Sequence, residues 1–527
     1  MIVETVTGRV RGRFEDAAGV WAFLGIPYAQ PPVGALRFRP PMPVAPWVHV
    51  RDASQFGPAS AQVFDPLEAL IEDLGGEPSS PPPISVGSED SLTLNVWTPG
   101  ADGARRPVIV YIHGGANWLE SSRVPVYHGD RFAGRGDIVF ASLNYRLGWF
   151  GFLEVGVLDQ DYDGSHINGL RDQLLALRWL AQNIAAFGGD PENITVMGES
   201  AGSVDAGWLI ASGALDGIVR RAVLMSGVVT VSTDPRQHFA DAAESRRLAR
   251  ELLGRADIGT MKQLLATSTG DLLARHAALL RDYPMLSIDS WFYPRLDRAT
   301  LTRSPYEWAV SDSARAIDVM IGTTAYEMGL WLLWDPELDK RSFTETLRFL
   351  GPLKEDVRQA LSEAYRQTFP HVSEGMRGMH LLSDAVFVMP SILLADRRAA
   401  AGAKTWFYQF SWEIPESPMG AAHATDVPFA FDKMDTAQSR AMFTPETDER
   451  DERRRQALAW GFQDAIVAFA RYGDPNRVAH SILPPWPAYD LESRTVMRLD
   501  LESRPFFDPS AVRRRVWLNL FERFFPA

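Results

Sequence analysis

The residues that could do chemistry centre on Gly198-Glu199-Ser200-Ala201-Gly202. The preceding Asn193-Ile194-Thr195-Val196-Met197 is apolar and β-branched, as in a strand buried within a parallel sheet. Small residues follow, leading into Trp208-Leu209-Ile210, which predicts a helix. A serine at the apex of a sharp strand-to-helix turn is a nucleophile elbow, with glycines two before and two after it because strand and helix approach too closely for a Cβ. The same turn puts Ser200 at the positive end of the helix, beside the free N–H of Ala201, where an alkoxide or a tetrahedral oxyanion is stabilised. A second stretch, His113-Gly114-Gly115-Ala116, follows the buried strand Val108–Ile112. Its consecutive glycines let bare backbone N–H groups of Gly114 and Gly115 reach an oxyanion alongside Ala201. The alternative is a plain tight turn. His113 itself reads as a brace for that loop.

A serine nucleophile needs a base, and the base needs an acid that fixes its tautomer. On an elbow of this kind the chain order is serine, then acid, then histidine, each just past the C-terminal end of a strand. The strand Ala316–Ile321 runs out through Gly322-Thr323-Thr324-Ala325-Tyr326-Glu327, which places Glu327 on the loop and leaves Asp318 inside the strand as buried structure. Later histidines are His371, His380, His423 and His480. His423 stands in a small-residue loop after the strand Thr405–Phe410, whereas His371 and His380 fall in helical sequence and His480 near the C-terminus among surface-like residues. Position favours His423.

The elements that must hold these groups read as an α/β protein. Strands are predicted at 91–97, alternating as if half-buried, and at 108–112, 138–144, 193–197, 221–226, 316–321 and 405–410, the last being taken as the final central strand. Helices follow from apolar spacing at 170–186, 450–473 and 513–525. The alternation implies a large, mostly parallel sheet with helices on both faces. Residues 232–310 and 330–400 are largely helical and too long for crossovers, so they read as insertions over the strand ends; 61–88, with Ser79-Ser80-Pro81-Pro82-Pro83, is either a lid or inert surface. We find no linker that divides 1–527, which reads as one domain.

Composition narrows the function. The chain has 527 residues, a net charge of −13 and a pI near 5.3, with acidic residues spread throughout, so nucleic acid is not an expected partner. It has no cysteine, which removes disulfides, thiolate catalysis and cysteine-ligated metal. No basic n-region with an apolar core opens it, and no apolar run reaches the ~18 residues of a membrane span, so the expected setting is the cytoplasm without membrane contact.

The sequence resembles the type-B carboxylesterases of the α/β-hydrolase fold, which include bacterial para-nitrobenzyl esterases and cholinesterases. The likeness runs through 25–41 with Leu36-Arg37-Phe38, Ser88–Val96, His113–Ala116, Asn144–Gly148, Asn168–Ser203 and Phe469–Asn476. It implies a carboxylic-ester hydrolase that needs no cofactor or metal, acts on a small-molecule ester as a monomer or homodimer, and uses Ser200 as nucleophile, Glu327 as acid and His423 as base. Gly114, Gly115 and Ala201 become the oxyanion donors. The resemblance also implies ion pairs Arg37–Glu89 and Arg146–Asp172 in the scaffold, and supporting roles for Glu199 and Ser226. A carbamate or amide hydrolase with the same triad, or an inactive binding protein on this fold, are the rival readings. Three departures stand out. Ser91 replaces a disulfide cysteine. Asn117 and Glu120 replace an aromatic and a glycine, which is expected to put a polar amide and a carboxylate near the acyl-pocket mouth. Phe64 is the only aromatic between Ala61 and Glu89, which disfavours choline recognition.

Overall fold

The computed structural model describes residues 1–63, 87–282, 291–297, 299–436, 439–440 and 449–524. The predicted insertion at 61–88 and Phe64 lie, apart from residues 61–63 and 87–88, outside the described residues. A small sheet joins β1 (Ile2–Thr5), β2 (Gly8–Arg11) and β5 (Arg51–Asp52). Eleven strands form the main sheet: β3 (Arg13–Glu15), β4 (Val20–Pro27), β6 (Thr93–Thr98), β7 (Arg106–Ile112), β8 (Val139–Leu143), β9 (Gly189–Glu199), β10 (Val219–Met225), β11 (Asp318–Thr324), β12 (Thr405–Phe410), β13 (Thr495–Leu499) and β14 (Arg504–Phe507). Their spatial order is β14-β13-β12-β11-β10-β9-β7-β8-β6-β4-β3. From β8 across to β13 every pairing is parallel, and both margins are antiparallel. The centre is Val/Ile-rich because it is covered on both faces.

Helix α1 (Asn168–Asn183) packs on β9, α2 (Ala201–Ala211) on β9 and β10, and α3 (Glu449–Tyr472) on β7 and β9. The stretch 232–310 carries the helices Ala242–Arg255, Met261–Ala266, Thr269–Asp282 and Pro305–Ala309, and 330–400 carries Glu355–Thr368, Glu374–Ser383 and Met389–Ala400, so both are helical as predicted.

Two expectations about the sheet are corrected. The sheet does not end at β12: β13 pairs parallel with it and β14 closes the edge antiparallel. β6 is not half-buried; Leu94 to Thr98 are buried on both faces. Its polar Asn95 is satisfied internally, donating to the Ser122 and Ser142 hydroxyls and accepting from the Gly25 N–H at 3.0 Å. The continuous helical run Glu374–Ala400 is long and apolar enough to cross a bilayer, but 94% of its apolar window is buried within the fold, as in a core helix.

Both ion pairs that the resemblance implies are formed. The Arg146 guanidinium meets Asp172 through two bonds of 2.8 and 2.7 Å, and the Arg146 backbone N–H adds a third at 3.0 Å, with Asp172 fully buried. Arg37 grips Glu89 at 2.8 and 2.7 Å and also donates to the Thr267 carbonyl at 2.7 Å.

Candidate active site

The elbow forms where β9 ends and α2 begins. Ser200 is the N-cap of α2, with φ 53° and ψ −122°, a backbone region that L-residues occupy only under constraint. The constraint is visible: the Ser200 N–H donates to Met225 of β10 at 2.9 Å, and its carbonyl accepts from Val204 N–H at 3.0 Å. A Cβ on Gly202 would run into the carbonyl oxygens of Ile112 and His113, and one on Gly198 would lie 2.7 Å from Ser203 N, so both glycines are required by close approach.

Glu327 lies three residues past β11 and is fully buried. Its Oε1 accepts from the Thr324 N–H at 2.7 Å and the Ser226 hydroxyl at 2.8 Å, and its Oε2 lies 2.7 Å from His423 Nδ1. The backbone N–H of His423 also donates to the Glu327 carbonyl at 3.0 Å. Two bonds to one residue fix the position of the loop, and the ring is held between Phe387 and Trp331, with centroids at 4.5 and 5.5 Å. Its remaining nitrogen, Nε2, faces the elbow, 3.2 Å from Glu199 Oε1. Among the described residues the Ser200 hydroxyl makes no hydrogen bond. The structure therefore joins Glu327 to His423 directly and aims the imidazole at the residue next to Ser200.

Burial pulls the His423 imidazole down, but the carboxylates of Glu199 and Glu327 outweigh it and hold it up at about 9. Glu199 is raised by burial to about 8, against the pull of His423. Asp426, also buried, is pushed to about 6 and is bonded by the Tyr408 hydroxyl at 2.7 Å.

The competing residues are elsewhere. Asp318 opens β11 and is half-buried beside Arg221; seven residues of strand, roughly 20 Å, separate its end from that of Glu327. His380 stacks on Phe369 at 4.1 Å and is driven by burial to about 3, while His371 and His480 are exposed. His113 does brace its loop: its Nδ1 is 3.1 Å from the Gly114 carbonyl, its ring stacks on Tyr145, and burial holds it at about 4.

Gly114 lies against the elbow, and a Cβ there would sit 3.1 Å from Ser200 Cβ. Gly115 has φ 85°, and a Cβ on it would strike the Leu119 carbonyl. Asn117 corrects an expectation. It does not reach a pocket mouth; it is fully buried and turned inward, donating to Asp205 Oδ1 at 3.2 Å and the Phe292 carbonyl at 3.0 Å. Asp205 was missed from the sequence, although it is the one charged residue in the apolar helix Ala201–Ala211. Trp331 and Phe387 carried no local signal, because they reach the site from the second insertion.

Comparison with known proteins decides the family. The carboxylesterase family model matches residues 1–515. The chain belongs to that family. It is 34% identical to the para-nitrobenzyl esterase of Bacillus subtilis (strain 168) over 518 residues, covering 98% of each chain. It is also 34% identical to the phenmedipham hydrolase of Pseudarthrobacter oxydans over 506 residues, 94% of each. The crystal structure of Geobacillus stearothermophilus carboxylesterase EST55 at pH 6.2 superposes with a TM-score of 0.83 at 34% identity, covering 98% of this chain and 99% of that one. A para-nitrobenzyl esterase structure gives the same TM-score at 32% identity. The fold is that of the α/β-hydrolases, and the protein is a carboxylic ester hydrolase.

Proposed function

We propose that this esterase works through an acyl-enzyme on Ser200, with His423 as general base, Glu327 as the acid that orients it, and the N–H groups of Gly114, Gly115 and Ala201 as the oxyanion hole. The observation that carries the reading is the Glu327–His423 pair, which fixes Nδ1 and leaves Nε2 facing the strained elbow. Catalytic hydrogen bonds are often loose before substrate binds, and the imidazole has only to exchange Glu199 for its chain neighbour Ser200. His423 takes the hydroxyl proton as Ser200 attacks the ester carbonyl. It then returns that proton to the departing alcohol, and activates water for deacylation. Glu327 stabilises the imidazolium. Glu199 and Ser226 support: the first faces Nε2, the second donates to Glu327.

A fluorophosphonate probe should label Ser200, and Ser200→Ala should lower ester turnover by about 10⁴- to 10⁶-fold. Near-normal turnover in that variant would remove the nucleophile. A carbamate hydrolase with the same residues is the second reading, favoured by the similarity to a phenmedipham hydrolase, since phenmedipham is a carbamate. Matched ester and carbamate analogues separate the two by relative kcat/KM.

A further inference from the structure

The loop that follows β7 is strained over three successive residues: φ is 85° at Gly115, 52° at Ala116 and 63° at Asn117. Only the first is a glycine. A non-glycine residue is disfavoured in left-handed geometry because its Cβ crowds the following carbonyl, and such geometry persists only where the surroundings over-determine it. Here the surroundings are the Asn117 side chain and what it touches. Its Nδ2 donates to Asp205 Oδ1 at 3.2 Å and to the Phe292 carbonyl at 3.0 Å; two acceptors on one side fix which way the amide faces. Its Oδ1 lies 3.1 Å from the Tyr145 hydroxyl, which is also 2.9 Å from the His113 carbonyl. Its backbone carbonyl accepts from the Gly148 N–H at 2.6 Å.

Asp205 is the less expected partner. It is fully buried on α2, and its Oδ2 accepts from Gln173 Nε2 of α1 at 2.5 Å. Two side-chain amides bond it, and burial lifts its carboxyl to about 7. A buried carboxylate supported only by amides is a costly way to fill space, and an apolar pair of similar volume would be cheaper. What this arrangement supplies is direction. Ser200 and Ala201 stand at the start of α2, Asp205 stands on the same helix, and Asn117 stands two residues beyond Gly115. The Asn117–Asp205 bond therefore ties together the two chain segments that carry the oxyanion donors.

We propose that Asp205 is a positioning residue which, acting through Asn117, holds the Gly114–Gly115 loop in register with the N-terminus of α2, so that the three N–H groups converge on one oxygen. The inference rests on the oxyanion hole proposed above.

The test is kinetic, on the intact chain with a para-nitrophenyl ester. Active sites are first counted by labelling to completion with a fluorophosphonate, so that kcat refers to competent enzyme. Oxyanion donors act in the transition state, so misplacing them lowers kcat and leaves KM nearly alone. Asn117→Ala and Asp205→Leu should each lower kcat per labelled site by about 10- to 100-fold, with KM changed less than about threefold. The double variant should lose little more than either single one, because both remove the same tie. Asp205→Asn should recover most of the loss. It keeps an acceptor for Asn117, and Gln173, whose Oε1 is buried without a partner among the described residues, can turn its amide to accept the new N–H. Should Asp205→Leu fail to fold, Asn117→Ala and Asp205→Asn carry the comparison. Unchanged kcat per labelled site in Asn117→Ala, or additive losses in the double variant, would overturn the inference. A parent enzyme that takes no fluorophosphonate at Ser200 would instead overturn the proposed function.

Discussion

Glu199→Gln separates electrostatics from shape at the centre of the site. Glu199 Oε1 is 3.2 Å from His423 Nε2, and both groups are buried. Lifting an imidazole from 6.5 to about 9 corresponds to roughly 3 kcal/mol in favour of its charged form. That balance is struck against burial, which opposes the charge. The Glu199 charge is the largest single contribution to the opposing pull, so losing it should lower the imidazole pKa. The sign follows from the chemistry. A protonated imidazole cannot accept the Ser200 proton, so kcat/KM rises with pH through the imidazole pKa and is lost below it. Lowering that pKa moves the acid limb to lower pH. The assay is kcat/KM for an uncharged ester from pH 5 to 10, in parent and Glu199→Gln. We expect the variant to be the faster enzyme on the acidic side, with the profiles converging as pH rises. An acid limb that stays in place, or moves to higher pH, would refute the assignment of the limb to His423 and the electrostatic role of Glu199.

Ser226→Ala removes one of the two donors to Glu327 Oε1, and kcat should fall by about tenfold, or about 1.4 kcal/mol in the barrier, as the carboxylate loosens its hold on His423. Arg146→Met strands the buried Asp172 carboxylate and should cost about 3–5 kcal/mol in urea unfolding, much of it regained in Arg146→Met with Asp172→Leu. Gly202→Ala drives a methyl into the Ile112 carbonyl and should lower stability by about 1–3 kcal/mol with loss of activity. The control is Gly254→Ala, in the helix Ala242–Arg255 with open space around it, which should raise stability by up to about 1 kcal/mol.

What the sequence made legible follows periodicity and spacing. The central strands, the elbow and the acid past β11 are local patterns, because a buried strand and a sharp turn each leave a signature within ten residues. What it hid is non-local. β6 alternates in the sequence, but its neighbours β4 and β8 and the helices above bury both faces, so Asn95 is polar without being exposed. β13 and β14 carry Arg498 and Arg504, with Asp500 in the turn between them, and a charged edge does not look like a core strand. The resemblance implies an Asn117 near the pocket mouth, whereas its side chain turns inward to meet Asp205, 88 residues on.

Backbone strain links these observations. Besides the loop at 115–117, the non-glycine residues with positive φ include Ser200 (53°), Ser226 (48°) and Ala424 (64°): the proposed nucleophile, the donor to Glu327 and the residue after His423. Ser200 and Ser226 directly follow the ends of the parallel strands β9 and β10, where the ladder stops and the chain must turn at once. Both are held by bonds to neighbouring strands: Ser200 N–H to Met225, and Ser226 N–H to Gly322. These neighbouring strands are therefore coupled at their ends, β9 to β10 and β10 to β11. Disturbing any one turn should move the elements beside it, which is why a methyl at Gly202 is expected to reach the chemistry as well as the stability.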